Sequence, residues 1–259
     1  MTDALYPAYL FDRDALAQLA AFVDGQTLLA FDLDGTLAPI VPDPATIGIP
    51  ADIQKAFIAL AACAPVAVIT GRSRYDALSH LPATPRYLIG NHGAEGLPGW
   101  DLRENQFVRF AQSWQNQLSE LMGPEYPEGV EIENKGATLS IHYRRAVNIP
   151  AAHDIILQAI DRLTPKPVRI SGKFIENLIP KGAPDKGAAL GILMEKEKFK
   201  KALFAGDDDT DERVFRLGRN TIFSIRVGEA ADSRAAFYLH GQHEVAKLLR
   251  TVKAILEKS

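Results

Sequence analysis

The first part of the chain alternates short apolar runs with amphipathic segments. The runs TLLAF and VAVIT have strand length and little polar interruption, which favours strands buried on both faces of a sheet. The segment between them has apolar residues at helical spacing and starts directly after Pro50. This order predicts a parallel sheet with crossover helices. The predicted elements are helix 15–23, strand 27–31, helix 51–62, strand 66–70, helix 72–81 and strand 86–89.

The middle of the chain has a different pattern. Two alternating segments flank a Lys-Gly turn, and a second pair flanks Gly172, with a helical segment before each pair. This order predicts a small α+β unit with an antiparallel sheet. Its predicted elements are helix 106–122, strands 129–133 and 137–143, helix 149–163, and strands 167–171 and 173–179.

After Pro184 the first pattern returns. The predicted elements are helix 185–193, strand 201–205, helix 209–219, strand 220–227 and helix 241–258. The predicted fold is therefore α/β: a parallel-sheet core formed by residues 1–96 and 181–259, interrupted by an inserted α+β domain at 97–180.

Composition adds only broad limits. The chain has 259 residues, 47% of them hydrophobic, and a net charge of −3, so we expect neither a nucleic acid nor a membrane as partner. The single cysteine, Cys63, forms no internal disulfide, and we expect it to be a small buried residue. The N-terminus has no signal-peptide pattern, and no apolar run reaches the roughly 18 residues of a membrane span. We therefore expect a cytoplasmic protein.

Two acidic motifs follow predicted strands. Asp32 and Asp34 stand in FDLDGT, and five acids lie between Asp207 and Glu212. Carboxylates gathered at strand ends are costly unless a cation lies among them. The alternative for the first motif is a helix N-cap or a solvated turn, and for the second it is a solvated helix start.

Calcium fits the second motif poorly. An EF-hand loop has Gly at its sixth position and Glu at its twelfth. Counted from Asp207, those positions hold Glu212 and Gly218. A hard ion with few protein ligands, Mg²⁺, is the cofactor we expect.

A hydroxyl and a lysine complete the set. Thr70, Gly71 and Arg72 stand between a strand and a helix, where a hydroxyl and backbone N–H groups form either a phosphate site or a plain helix cap. Lys186 lies in a first helical turn, where it opposes the helix dipole unless an anion is near. Together with the acids, these residues are typical of a phosphoryl-transfer site.

The order of these motifs resembles that of the haloacid dehalogenase-like phosphohydrolases. The resemblance implies that Asp32 is the nucleophile, that Asp34 is the general acid and base, and that Thr70 and Lys186 hold the phosphoryl group. It implies that the metal ligands are Asp32, Asp207 and the backbone carbonyl of Asp34. The residues expected to reach the metal only through water or through its ligands are Asp208 and Asp211.

Longer motifs resemble the trehalose-6-phosphate phosphatase family. They are GNHGAE (90–95), ENKGATLSIHYR (133–144), GK (172–173) and GDDDTDE (206–212). The resemblance implies that the inserted domain is a cap that selects the substrate. The substrate-binding residues that it implies are Gly71, Arg72, His92, Glu95, Lys135, Arg144, Lys173 and Asn177.

The chain departs from the family after Lys173. Many members carry a Glu and then a Lys or Arg where this chain has Asn177 and Ile179. Glu176 stands one residue away, on the other face of the predicted strand.

The resemblance implies a Mg²⁺-dependent hydrolysis of trehalose 6-phosphate through an aspartyl-phosphate. We expect a monomer whose ligand is a small sugar phosphate. Another phosphorylated sugar or glycoside, a phosphomutase or phosphotransferase, and a non-catalytic sugar-phosphate binder stay open as alternatives.

Overall fold

The computed structural model describes residues 6–41, 46–123, 126–218 and 220–258. Its helices are α1 (Arg13–Phe22), α2 (Ala51–Ala61), α3 (Arg74–His80), α4 (Asp101–Met122), α5 (Ile149–Ile160), α6 (Lys186–Glu197), α7 (Glu212–Phe215) and α8 (Val245–Leu256). Its strands are β1 (Ala8–Tyr9), β2 (Leu28–Phe31), β3 (Val66–Ile69), β4 (Tyr87–Ile89), β5 (Glu131–Asn134), β6 (Leu139–His142), β7 (Val168–Gly172), β8 (Ile175–Ile179), β9 (Ala202–Gly206), β10 (Ile222–Val227) and β11 (Phe237–Leu239).

The chain divides into two units. Residues 1–98 and 184–259 form the core unit, and residues 99–183 form the inserted unit. Among the described residues, no helix combines the length and the apolar character that crossing a membrane requires.

The core unit is built on a seven-stranded sheet in the order β1-β11-β10-β9-β2-β3-β4, with every pair parallel. β2, β3 and β9 are buried along their whole length, as their apolar runs predicted. Leu29 and Phe31 pack into one cluster with residues of α1, α2 and α8, whereas Phe204 contacts Phe215 of α7. Helices therefore cover both faces, and the predicted α/β class is confirmed.

The inserted unit is an antiparallel sheet in the order β5-β6-β8-β7 with α4 and α5 packed against it. Trp114 of α4 and Ile156 of α5 are fully buried with Ile141 and Leu178 of the sheet. Ser140 and Asn177 are cross-strand partners on the opposite face. The predicted antiparallel sheet is thus confirmed.

Three local predictions are wrong. The helix predicted at 209–219 is only the four residues of α7. It starts late because Asp208 accepts hydrogen bonds from the N–H groups of Thr210 and Asp211 and holds them in a turn. Arg219 lies outside the described residues. The helix predicted from 241 begins as a short 3₁₀ turn before α8. Cys63, expected to be buried, is exposed just after α2.

A buried carboxylate ties β8 of the inserted unit to its neighbours. Glu176 is fully buried, and Ser171 Oγ donates to its Oε2 at 2.8 Å. His153 Nε2 of α5 lies 2.8 Å from Oε1, and Arg169 Nε lies 3.7 Å from Oε2. The group thus links β8 to β7 and to α5.

We expect Glu176→Ala to lower the free energy of unfolding of the inserted unit by about 2–3 kcal/mol, because Ser171 and His153 lose a shared acceptor. Glu176→Gln should cost only about 1 kcal/mol, since a carboxamide still accepts hydrogen bonds. Both tryptophans, Trp100 and Trp114, lie in this unit, so urea unfolding followed by tryptophan fluorescence measures it. The control is Glu131→Gln at an exposed position of β5, and an equal loss there would contradict the prediction.

Candidate active site

The site is formed where three neighbouring strands end. β9, β2 and β3 are adjacent in the sheet, and Asp207, Asp32 and Thr70 follow their last residues directly. Because the strands are parallel, their carboxyl ends lie at one edge of the sheet, where ligands of open α/β sheets bind.

Asp32 and Lys186 form a buried ion pair at this edge. Lys186 Nζ lies 3.1 Å from Asp32 Oδ1, and the two side chains are 1% and 4% exposed. Burial raises the pKa of Asp32 well above its ordinary value, although the Lys186 ammonium acts in the opposite direction. Burial alone would lower the pKa of Lys186, but the carboxylates of Asp32, Asp211 and Asp208 raise it. Lys186 is therefore held as an ammonium beside Asp32.

Asp211 holds the acidic loop in place. Its Oδ1 accepts a hydrogen bond from Lys186 Nζ at 2.8 Å, and its Oδ2 accepts from the N–H groups of Asp207 and Asp208 at 2.9 and 3.0 Å. A Cβ on Gly206 would lie 2.3 Å from the Asp211 carboxyl carbon, so only glycine permits this approach. Both oxygens of Asp211 are thus occupied by groups of the protein.

Asp32, Asp207 and Asp211 form a cluster that could hold a metal ion, since each offers a carboxylate oxygen within 4.8 Å of the others. Burial raises the pKa of Asp207 to about 7, with help from Asp211 and Asp208. Within the described part of the chain, the carboxylates of Asp32, Asp207, Asp208 and Asp211 share one ammonium, that of Lys186. A divalent cation fits this excess of negative charge. Asp211 already accepts three hydrogen bonds, so Asp32 and Asp207 have more oxygen capacity left for an ion.

The Gly-Thr turn after Asp34 shapes the space around Asp207. Gly35 has a φ of +80°, and a Cβ there would lie 2.0 Å from Asp207 Oδ2. Thr36 is buried, and its Oγ1 lies 3.4 Å from Asp207 Oδ1. The turn therefore fixes Asp207 from the side of β2.

The Asp34 carboxylate is paired with Arg72. Arg72 binds its carboxylate with two parallel hydrogen bonds, from Nε and from one Nη, each 2.8 Å long. The Asp34 side chain is 37% exposed and that of Arg72 is 11% exposed. The Asp34 carboxylate thus lies at the open side of the site in a fixed orientation.

The turn after β3 lies beside the loop that follows β4. Thr70 is fully buried, and its Oγ1 accepts a hydrogen bond from the N–H of Arg72 at 3.2 Å. A Cβ on Gly71 would lie 2.5 Å from the His92 ring, and the N–H of His92 donates to the carbonyl of Thr70. His92 is therefore next to the predicted phosphate-binding turn.

Glu95 supports that loop. Its Oε2 accepts hydrogen bonds from the N–H of Arg74 and from Asn91 Nδ2, at 2.8 and 2.9 Å. This carboxylate therefore joins the loop after β4 to the start of α3.

The model of the trehalose-phosphatase family matches residues 30–246, which include all of the inserted unit. The chain belongs to the trehalose-phosphatase family. The predicted family membership is confirmed, and the chain is a phosphoric monoester hydrolase of that family.

Individual relatives agree with the trehalose-phosphatase match. The trehalose-6-phosphate phosphatase of Escherichia coli (strain K12) is 32% identical over 243 residues, which cover 88% of this chain and 87% of the relative. A probable trehalose-phosphate phosphatase 9 of Oryza sativa subsp. japonica is 30% identical over 267 residues, covering 90% and 71%. A crystal structure of a trehalose-6-phosphate phosphatase related protein superposes with a TM-score of 0.69 at 24% identity, over 88% of this chain and 98% of that one. The last match shows the shared haloacid dehalogenase-like fold.

The other predicted substrate residues lie in the inserted unit. Lys135 Nζ is 3.6 Å from Glu133 Oε2, and His142 Nε2 is 2.9 Å from the same oxygen. Burial would raise the pKa of Glu133, but His142 and Lys135 lower it. Lys135 is thus held by an ion pair at the end of β5.

The remaining three predicted substrate residues lie in β8 or close to it. The Arg144 guanidinium lies 6.0 Å from the centre of the Phe174 ring, and Lys173 is exposed in the turn before β8. Asn177 Oδ1 accepts a hydrogen bond from Ser140 Oγ at 2.7 Å, and its Nδ2 donates to the carbonyl of Ile170. The carboxamide of Asn177 is thus oriented by β6 and β7.

Sequence reasoning missed three contributors to the site. Gly35 and Thr36 were quoted only as part of a motif, and Asp76, which binds Arg72 Nη1 at 2.7 Å, was not singled out. The Gly-Thr pair had a usable signal, because glycine directly after two acids indicates a close approach. Asp76 had none, since an acid in a first helical turn is common.

Proposed function

We propose that the chain is a Mg²⁺-dependent phosphatase that hydrolyses trehalose 6-phosphate to trehalose and phosphate. The observation that carries the proposal is the buried Asp32–Lys186 pair beside an acidic cluster, in a chain of the trehalose-phosphatase family. Bound Mg²⁺ would neutralise negative charge between the enzyme and the phosphoryl group.

In the first step, we propose that the Asp32 carboxylate attacks phosphorus and forms an aspartyl-phosphate as the bond to the sugar oxygen breaks. Lys186 keeps positive charge beside Asp32, which offsets the repulsion between two anions. The Thr70 hydroxyl and the backbone N–H of Gly71 bind phosphoryl oxygens. Asp34, when protonated, gives its proton to the departing sugar oxygen.

In the second step, Asp34 takes a proton from water, which attacks phosphorus and releases phosphate and the Asp32 carboxylate. The orientation of Asp34 at the open side of the site supports this role. Asp32 and Asp207 would hold the ion together with the Asp34 carbonyl. Asp208 and Asp211 would act through water or through those ligands.

For the sugar, we propose contacts from the residues that the family resemblance implies. The residues concerned are Lys135, Arg144, Lys173, Asn177, His92 and Glu95. Asn177 and Ile179 favour a second candidate, another phosphorylated sugar or glycoside, because they replace a charged pair in the resembled motif. We propose that the protein is a monomer, and the single cysteine suits a reducing cytoplasm.

We expect the kcat/KM for trehalose 6-phosphate to exceed that for other sugar phosphates by about 100-fold, which corresponds to nearly 3 kcal/mol of discrimination. The measurement is phosphate release with Mg²⁺ and with EDTA. The panel contains trehalose 6-phosphate, sucrose 6-phosphate, glucose 6-phosphate and glucosyl-3-phosphoglycerate. Preference for another sugar would move the proposal to the second candidate. Full activity in EDTA would refute the requirement for a metal ion. No turnover of any substrate would favour a non-catalytic binding protein.

A further inference from the structure

Arg72 is held between two carboxylates. Two of its nitrogens donate to Asp34, and the third, Nη1, donates to Asp76 Oδ2 at 2.7 Å. A guanidinium is planar, so fixing one edge also fixes the direction of the other. The position of Asp76 therefore determines where Arg72 presents its two bonds to Asp34.

Asp76 is itself well placed to serve as an anchor. It lies in the first turn of α3, and its N–H donates to the Ser73 side chain that caps this helix. Its second oxygen, Oδ1, lies 3.4 Å from His80 Nε2 one turn later. The carboxylate of Asp76 thus belongs to a regular, capped element rather than to a loop.

Asp34 lies in the turn after β2, outside the helices and the named strands, so its backbone gives it less support than α3 gives Asp76, whose side chain is itself 44% exposed. The Asp34 side chain is 37% exposed, and a side chain with that freedom has three staggered positions about χ1. A general acid contributes only when its proton points at the leaving group. Fixing Asp34 in one orientation is therefore worth a factor of a few in rate.

We propose that Asp76 is a positioning residue, which acts through Arg72 to orient the Asp34 carboxylate for proton transfer. This inference rests on the proposed role of Asp34 as general acid and base. It assigns to Arg72 the orientation of Asp34 in addition to any contact with substrate.

The test compares two phosphate esters. The p-nitrophenolate group leaves without needing a proton, whereas a sugar alkoxide needs one. We expect Asp76→Asn to lower kcat/KM about fivefold for the sugar phosphate that the wild type hydrolyses fastest, and less than about twofold for p-nitrophenyl phosphate. Asp76→Glu should restore most of the loss. An equal loss on both esters, no loss, or a gain would overturn the proposal.

Two further variants sharpen the test. Arg72→Lys keeps the charge but loses the paired bonds, so it should show a larger selective loss, and adding Asp76→Asn to it should cause no further selective loss. The control is Asp52→Asn, which removes an exposed acid from the first turn of α2. That change tests any general effect of the helix dipole, and it should leave both rates unchanged.

The proposed function is tested separately with Asp34→Asn. Asp34 is also the proposed base of the second step, so its loss lowers kcat on both esters, and selectivity is therefore judged on kcat/KM, which reports the first step. A strongly selective loss of kcat/KM on the sugar ester supports its role as general acid. If Asp34→Asn is selective and Asp76→Asn is not, only the role of Asp76 is refuted. If Asp34→Asn is not selective, the acid assignment itself is refuted.

Discussion

Replacing Asp32 with asparagine should abolish turnover while leaving the protein at least as stable as the wild type. A carboxamide is a very poor nucleophile, so we expect a loss of at least about 10⁴-fold in kcat, or about 5.4 kcal/mol. The stability expectation follows from the charges. Asp32 is buried with three other carboxylates near a single ammonium, and Lys186 keeps its 2.8 Å bond to Asp211 when Asp32 is neutral.

The experiment measures phosphate release with Mg²⁺, and it measures thermal unfolding separately in EDTA. We expect the midpoint of Asp32→Asn to equal or exceed that of the wild type, because one of the repelling charges is gone. Asp209→Asn is the matched control, since it removes an exposed acid from the same loop as Asp207. A wild-type rate in Asp32→Asn would refute the nucleophile. A large fall in its midpoint would show that Asp32 holds the fold rather than the reaction.

Much of the core site could be predicted because its residues follow apolar runs. β2, β3 and β9 are buried on both faces, so each appears in the sequence as a continuous run that ends where a polar residue begins. Asp32, Thr70 and Asp207 are those polar residues. Parallel strands that are neighbours in a sheet must then bring them together.

Elements that are too short to show a period were missed. β1 has two residues and β11 has three, and neither length allows alternation to be recognised. Among the described residues they pair only with each other and with β10, so their existence depends on the sheet already formed. The length of α7 was overestimated. Asp208, just before the predicted helix, accepts hydrogen bonds from the N–H groups of Thr210 and Asp211 and holds them in a turn.

Side-chain partners distant in sequence were also beyond reach. Alternation placed Glu176 and Asn177 on opposite faces of β8, and the burial pattern agrees. It gave no sign that the Glu176 face would be fully buried, because such burial depends on His153 and Ser171 as partners. The link between Asp34 and Asp76 is of the same kind, since it exists only through the reach of Arg72.

Replacing Lys186 with methionine should have the opposite effect on stability from Asp32→Asn. Both changes should abolish turnover, and for Lys186→Met we expect a loss of about 10³-fold or more. This variant leaves buried carboxylates without their cation, which typically costs about 3–5 kcal/mol. Lys186 is 1% exposed and its partners Asp32 and Asp211 are 4% and 0% exposed, so water offers these three groups little compensation.

The stability of the core unit, which contains Lys186, must be followed by circular dichroism or calorimetry, because both tryptophans lie in the inserted unit. The control is Lys201→Met, which removes a partly exposed ion pair with Asp24 and should cost less than about 1 kcal/mol. In the double variant Asp32→Asn, Lys186→Met, the loss should be smaller than the sum of the two single effects, since removing Asp32 helps more when its ammonium is absent. Additive losses would mean that the two side chains do not interact, and the buried pair would then no longer explain the site.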